Sequence, residues 1–165
     1  MEENEIKIGD QTWTTKNLDV SAYKNGDAIP QVQDEEEWAN LSTGAWCYYE
    51  NETANGTTYG KLYNWYAVTD SRGLAPTGYH IPNNSEFMTL INYLGGAQVA
   101  GGKMKEPGLS HWLAPNTEAT NSSGFSALPG GGRVFQGVFA GIQNDGTFWR
   151  RSNWNLEPTP FDGFN

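Results

Sequence analysis

Hydrophobic and polar residues follow two periodicities along this chain, and each predicts a different element. Over residues 6–13 apolar and polar positions alternate about a Gly-Asp pair, which predicts a β-hairpin. After Pro82 the apolar residues recur at helical spacing, which predicts a helix with one buried face. Asn83 and Glu86 have the spacing of a capping box at its start, and Gly95-Gly96 ends it. The residues of the buried face are Phe87, Leu90, Ile91 and Leu94.

The rest of the chain gives shorter signals. Residues 59–69 place Leu62, Trp65, Tyr66 and Thr69 at helical spacing, which predicts a second main helix, and residues 34–41 predict a short acidic helix. Turn-forming residues at 51–57 predict a polar loop. Residues 125–128 predict a buried strand followed by a sharp corner at 130–132. Asn144-Asp-Gly146 predicts a hairpin between strands at 138–142 and 147–150.

Two main helices, several short strands and long irregular segments indicate an α+β fold. The 165 residues suit one domain over 1–165, and the aromatic content of 13% is typical of a chain that folds. The 20 glycines and 8 prolines predict much irregular structure between the elements. We therefore expect a domain in which shaped loops hold a surface in place.

The net charge of −9 lies entirely within the first 52 residues. An acidic chain lacks the basic footprint that nucleic-acid binding requires, so this class of partner is not expected. The run Asp34-Glu-Glu-Glu37 is interpreted as a solvated face or the first turn of a helix, with a metal-binding role as the weaker alternative. No apolar run is long enough to span a membrane.

Candidate chemistry is sparse. The single cysteine, Cys47, lies in an apolar run and is interpreted as a buried thiol instead of a nucleophile, and one cysteine excludes an internal disulfide. His80 is interpreted as a structural hydrogen-bonding residue, and His111 lacks the partners of a metal site. The glycines at 130–132 lack the Lys-Ser/Thr of a phosphate loop. No cofactor is expected, and a bound Ca²⁺ is left open without a residue set that indicates one.

Several short motifs, taken together, resemble the Fibrobacter succinogenes major paralogous domain over residues 6–149, leaving 150–165 as a divergent tail. The motifs are Ile-Gly-Asp-Gln-Thr-Trp (8–13) with Asn17-Leu18, Trp-Cys-Tyr (46–48), Tyr-Gly-Lys-Leu-Tyr-Asn-Trp (59–65), Pro-Thr-Gly-Tyr-His-Ile-Pro (76–82), Gly-Gly-Lys-Met-Lys (101–105) and Gly-Phe-Ser-Ala-Leu-Pro-Gly (124–130). The resemblance implies a C-type-lectin-like fold, related in architecture to the formylglycine-generating enzyme domain and to variable proteins diversified by retroelements.

The resemblance also implies ligand binding on a secreted, surface-anchored or phage-borne protein. Formylglycine-generating relatives use paired cysteines, which a lone Cys47 does not reproduce, so we do not expect an enzyme. The family's terminal strands are missing after Trp149, and the ends of lectin-like chains pair. We therefore expect residues 6–14 to form an open edge, completed by a strand from a second chain, by a homo-oligomer or by a rewired C-terminus.

The predicted ligand-binding face lies in the C-terminal part, as in the related variable proteins. Its residues are Trp149, Arg150, Arg151, Asn153, Trp154 and Asn155. Alternate members of this set, such as Trp149, are alternatively interpreted as core. We expect a recognition or adhesion domain that binds a glycan or protein, and the alternative is an assembly subunit of a virion or surface layer. The acidic N-terminus is not a signal peptide, so an extracellular, cell-surface or virion location requires export information elsewhere or assembly into a particle.

Overall fold

The structure, a computed structural model, describes residues 4–151. Within them the chain forms short helices and short antiparallel strands, so the α+β prediction is confirmed. The α-helices are α1 Glu35–Ala39, α2 Thr53–Tyr59, α3 Trp65–Thr69, α4 Asn84–Tyr93 and α5 Ala97–Met104. The strands are β1 Glu5–Ile8, β2 Gln11–Thr14, β3 Trp46–Cys47, β4 Leu62–Tyr63, β5 Gly130–Arg133 and β6 Phe139–Ile142. They pair as β1–β2, β3–β4 and β5–β6, each a two-stranded antiparallel sheet.

The predicted N-terminal hairpin is confirmed. Ile8 pairs with Gln11 across the two-residue Gly9-Asp10 turn, and the register continues to Glu5 opposite Thr14. Gly9 has a φ of 61°, the left-handed conformation that such a turn favours at glycine. The alternation therefore buries Ile8 on one face of the hairpin and leaves Thr12 and Thr14 on the other face, exposed to solvent.

The helix predicted after Pro82 is also confirmed. The Asn83 side chain accepts from the Glu86 amide at 3.0 Å, while the Glu86 carboxylate accepts from the Asn83 amide at 2.8 Å. This reciprocal capping box fixes the start of α4. The acidic helix α1 starts in a similar way, because the Asp34 side chain accepts from the Glu37 amide at 2.7 Å.

The prediction of a polar loop at 51–57 is wrong, and the helix predicted over 59–69 is confirmed only at residues 65–69. Residues 53–59 form α2 instead of a polar loop, and the long aromatic helix is divided by β4. Gly60, with a φ of 75°, ends α2, and the buried Asn64 side chain begins α3 by accepting from the Ala67 amide. The same Asn64 oxygen also accepts from the Ala45 amide beside β3, which draws β4 into pairing with β3. The helical spacing of the aromatic residues could not reveal this long-range bond.

The prediction for residues 125–150 needs correction as well. Residues 125–128 contribute a single parallel bridge, between Ala127 and Lys105, and the predicted corner at 130–132 is strand β5. Strand β6 pairs back with β5, not forward across Asn144-Asp-Gly146. The glycines permit this pairing, because a Cβ on Gly131 would lie 2.5 Å from the Ala140 carbonyl oxygen. Sequence analysis also assigned no element to α5, whose Ala100 and Met104 pack against α4.

Buried side chains form three hydrophobic clusters. The first joins α4 and α5 to Ile8 and Phe125, the second surrounds Tyr63 and α3, and the third contains Val32, Trp38, Ala45 and Cys47. Among the described helices none has the length and apolar content needed to cross a lipid bilayer.

Candidate functional site

A groove of about 1430 Å³ lies between the N-terminal hairpin and segments from the middle and C-terminal parts of the chain. Strand β2 lines it together with residues 74–82, 125–128 and 147–149. Its lining is rich in aromatic side chains. These are Trp13, Trp38, Tyr59, Tyr63, Trp65, Tyr66, Tyr79, Phe87, Phe125, Phe135, Phe148 and Trp149. Aromatic rings provide large contact areas with few rotatable bonds, so this lining suits the binding of another molecule.

Trp149 is held in the groove wall by the protein itself. Its indole Nε1 donates to the Tyr63 carbonyl oxygen at 3.0 Å, and its ring centroid lies 6.1 Å from that of Trp65. It also packs against the second hydrophobic cluster. Tyr66, the next residue on α3, is 44% exposed and lines the same groove. The wall therefore combines an anchored indole with an accessible phenol ring.

The opposite wall is built on β2. The Trp13 ring lies 5.3 Å from Phe87 and 5.9 Å from Phe125, centroid to centroid, so its position is set by the first hydrophobic cluster. Gln11 fixes the strand relative to α4, because its side-chain Nε2 donates to the Glu86 carbonyl oxygen at 3.0 Å. The two walls thus belong to different hydrophobic clusters.

Polar groups gather where the groove meets the start of α4. The Tyr79 hydroxyl donates to the Glu5 carboxylate, and His80 Nε2 lies 2.8 Å from Glu86 Oε1. Burial alone would raise the pKa of Glu86, but the Asn83 amide and His80 hold it below its usual value. His80 makes the structural hydrogen bond that sequence analysis predicted, and its partner is the capping residue of α4.

Three of the six predicted site residues lie in the described part of the chain, and the structure brings them to this polar end. The Arg151 amide donates to the Pro82 carbonyl oxygen at 2.8 Å, and Arg151 bridges to Asn83 in parallel. Arg150 Nη1 donates to Asn84 Oδ1 at 2.5 Å, and Trp149 occupies the adjacent wall. Asn153, Trp154 and Asn155 lie outside the described residues, so their part of the hypothesis stays a prediction.

Most residues of the groove lining are not among the predicted site residues. Trp13, Tyr66 and Tyr79 were interpreted as parts of a hairpin, a helical stripe and a backbone-shaping motif, and none was assigned to a site. The alternative interpretation of Trp149 as a core residue is confirmed in part. Its ring packs against the second hydrophobic cluster and also lines the groove. The sequence signal for these residues is the density of aromatic residues within the family-like motifs. This density does not indicate which rings lie together in the folded chain.

The reactive groups of the described residues are dispersed. Cys47 is fully buried, and burial raises the pKa of its thiol to about 11, as the buried-thiol interpretation requires. His111 Nδ1 lies 2.8 Å from Glu106 Oε2. Within residues 4–151 no group of three His, Cys, Asp or Glu side chains is placed to hold a metal ion. The chemistry that the groove residues provide is ring stacking and hydrogen bonding.

Comparison with known proteins places this architecture in a family. Neither the curated proteins nor the solved structures that were searched gave a match. A family model, the Fibrobacter succinogenes major domain, matches residues 6–159, so the family match extends ten residues into the tail that was predicted to diverge after residue 149. Since this match covers most of the 165 residues, the chain belongs to the Fibrobacter succinogenes major domain family.

Proposed function

We propose that this chain is a non-enzymatic recognition domain that binds a glycan or protein ligand in the aromatic groove. We further propose that its α+β architecture is a C-type-lectin-like fold, in which small antiparallel sheets and two adjacent helices support long shaped segments. The proposed setting is the surface of a cell or particle, which rests on the family resemblance. No metal or cofactor takes part in this proposal.

The observation that carries the proposal is the combination of ring faces and directional polar groups along one groove. Tyr66 offers a partly exposed ring in the groove beside the anchored Trp149. Arg151 is not part of the groove lining, but it is exposed and its backbone bonds to Pro82, which lines the polar end. Aromatic and arginine side chains are the types most enriched among residues that dominate binding energy. A sugar ring or a protein side chain could stack on Tyr66 while Arg151 donates hydrogen bonds to it.

The test is a double variant, Tyr66→Ala with Arg151→Ala, assayed on a glycan array and on intact cell surfaces. We expect its affinity for the ligand recognised by the unmodified chain to fall about tenfold or more, since each truncation removes roughly 1 kcal/mol or more of contact. Tyr93→Ala is the matched control, because Tyr93 is 66% exposed but does not line the groove. Equal binding by the double variant and the control, with thermal stability unchanged, would reject this site.

The alternative function, an assembly subunit of a virion or surface layer, has its own observation. Three apolar residues stand exposed between β5 and β6, namely Val134, Phe135 and Val138, and Phe135 is 79% exposed. Val134 and Phe135 also belong to the groove lining, so the patch borders the groove. Exposed apolar clusters of this kind are typical of surfaces that become buried against neighbours.

A further inference from the structure

Among residues 4–151, the outer edge of strand β2 pairs with no third strand. In a hairpin with a two-residue turn, the pair next to the turn is hydrogen-bonded and the pairs then alternate. Ile8 and Gln11 form that first pair, and the Thr15 amide donates to the Asn4 carbonyl at 2.9 Å four pairs later, as the alternation requires. The amides and carbonyls of Thr12 and Thr14 therefore point away from β1. Within residues 4–151 no backbone hydrogen bond from outside the hairpin reaches them.

The chemistry of this edge differs from that of the opposite edge. Residues 11–15, Gln-Thr-Trp-Thr-Thr, contain neither a charge nor a proline. The outward positions of β1 are Glu5 and Lys7, which are both charged. Proteins usually protect an exposed strand edge with charged residues or proline, since an unprotected edge pairs readily with another chain. Of the two edges of this hairpin, β1 carries that protection and β2 does not.

The groove provides the space that an added strand needs. Gln11 and each residue that follows it as far as Leu18 line the groove, so the open edge runs along its length. A strand placed about 4.8 Å from β2 would alternate its side chains between the exposed threonines and the face that carries Trp13. On that face the groove is lined by Phe125 and Phe148, whose ring centroids lie 5.6 Å apart. Apolar side chains at every second position would fill this space.

We infer that β2 accepts an extended, uncharged polypeptide segment of another protein as a third strand, with apolar residues at alternate positions. A single strand is favoured over a second copy of this chain, because the groove walls flank the edge and the net charge of −9 makes copies repel each other. The inference rests on the proposed recognition function, since it names the class of ligand. Backbone hydrogen bonds would supply the affinity, and the apolar alternation would supply the selectivity.

The experiment selects ligands from a displayed library of random peptides of about eight residues, a common strand length. We expect the selected peptides to share apolar residues at every second position and to lose binding when alternate backbone nitrogens are methylated. The Thr14→Pro variant of the protein should weaken their binding about tenfold or more, because proline removes the outward amide alone. Lys7→Pro is the matched control, since it removes the corresponding amide on β1, and its effect should stay below about twofold.

Thermal unfolding checks that both proline variants fold, and Thr12→Pro replaces Thr14→Pro if that variant does not. The inference is overturned if no peptide is enriched, if enrichment lacks the alternation, or if Thr14→Pro binds as the control does. It is also overturned if the Thr12 and Thr14 amides already resist hydrogen exchange in the free chain, because the edge would then be occupied. The proposed function fails separately, when Tyr66→Ala with Arg151→Ala leaves binding to natural surfaces unchanged.

Discussion

Arg133 is the side chain that joins β5 to the segment just before α1. Its guanidinium donates to the carbonyl oxygens of Val32 and Gln33 at 2.9 Å, and its Nε donates to the Gly137 carbonyl at 2.8 Å. It also lies over the Trp38 ring, 4.5 Å from the centroid. A planar group with five donors can satisfy these acceptors together, which a lysine ammonium cannot do.

We therefore expect Arg133→Lys to lower the free energy of unfolding by about 2 kcal/mol, since hydrogen bonds to charged groups contribute roughly 1.5–3 kcal/mol each and lysine would keep some of them. Urea denaturation followed by tryptophan fluorescence measures the change. Arg72→Lys is the control, because Arg72 pairs with Asp27 and Asp70 at the surface, where such pairs contribute about 1 kcal/mol or less. Equal losses in the two variants would contradict this account of Arg133.

Among the helices, α4 has the most explicit start signal, and that signal also bears on the site. Asn83 caps α4 through its side chain and bridges to Arg151 through its backbone. Replacing Asn83 by Ala should lower the free energy of unfolding by about 1 kcal/mol, because the Glu86 amide loses its acceptor. Chemical denaturation would show this loss, and Asn92→Ala, at an exposed position late in the same helix, should be close to neutral. A neutral Asn83→Ala variant would show that the capping box is not stabilising.

Elements encoded by local residues were predicted well, and elements that depend on distant contacts were not. The β1–β2 hairpin and α4 follow from a two-residue turn and a capping box, both readable within a few positions. The division of residues 59–69 depends on Asn64 accepting from Ala45, which lies 19 residues away. The pairing of β5 with β6 depends on glycines that permit close backbone approach, whereas the Asn-Asp-Gly turn signal at 144–146 favours a different hairpin.

The same reasoning explains how much of the site was predictable. The aromatic and basic residues of the C-terminal part predict a binding face, and Trp149, Arg150 and Arg151 do lie together near the start of α4. The groove itself arises where the walls on β2 and α3 face each other, although the two elements are separated by some fifty residues of chain. Only the tertiary structure brings Trp13 and Tyr66 into one lining.

At the scale of the whole molecule, the exposed apolar residues Val134, Phe135 and Val138 allow the assembly function to be tested against the recognition function. If the chain is an assembly subunit, it should sediment as more than a monomer at high protein concentration, and Phe135→Ser should shift it toward the monomer, because burial of that ring stabilises the contact. Gln136→Ser is the control, since it changes an exposed polar residue of the same loop. A strict monomer at every concentration would argue against assembly and leave recognition as the better candidate.

The bond between Arg133 and Val32 spans 101 residues, and this separation bears on how the chain acquires its fold. The acidic first third cannot complete its packing until β5 has been synthesised, so Trp38 stays without its guanidinium partner while the ribosome produces most of the chain. Contacts between such distant positions also slow folding, because a large loop must close before any energy is gained. Since the whole net charge of −9 lies in the first 52 residues, electrostatic repulsion would oppose association between such segments before their packing is complete.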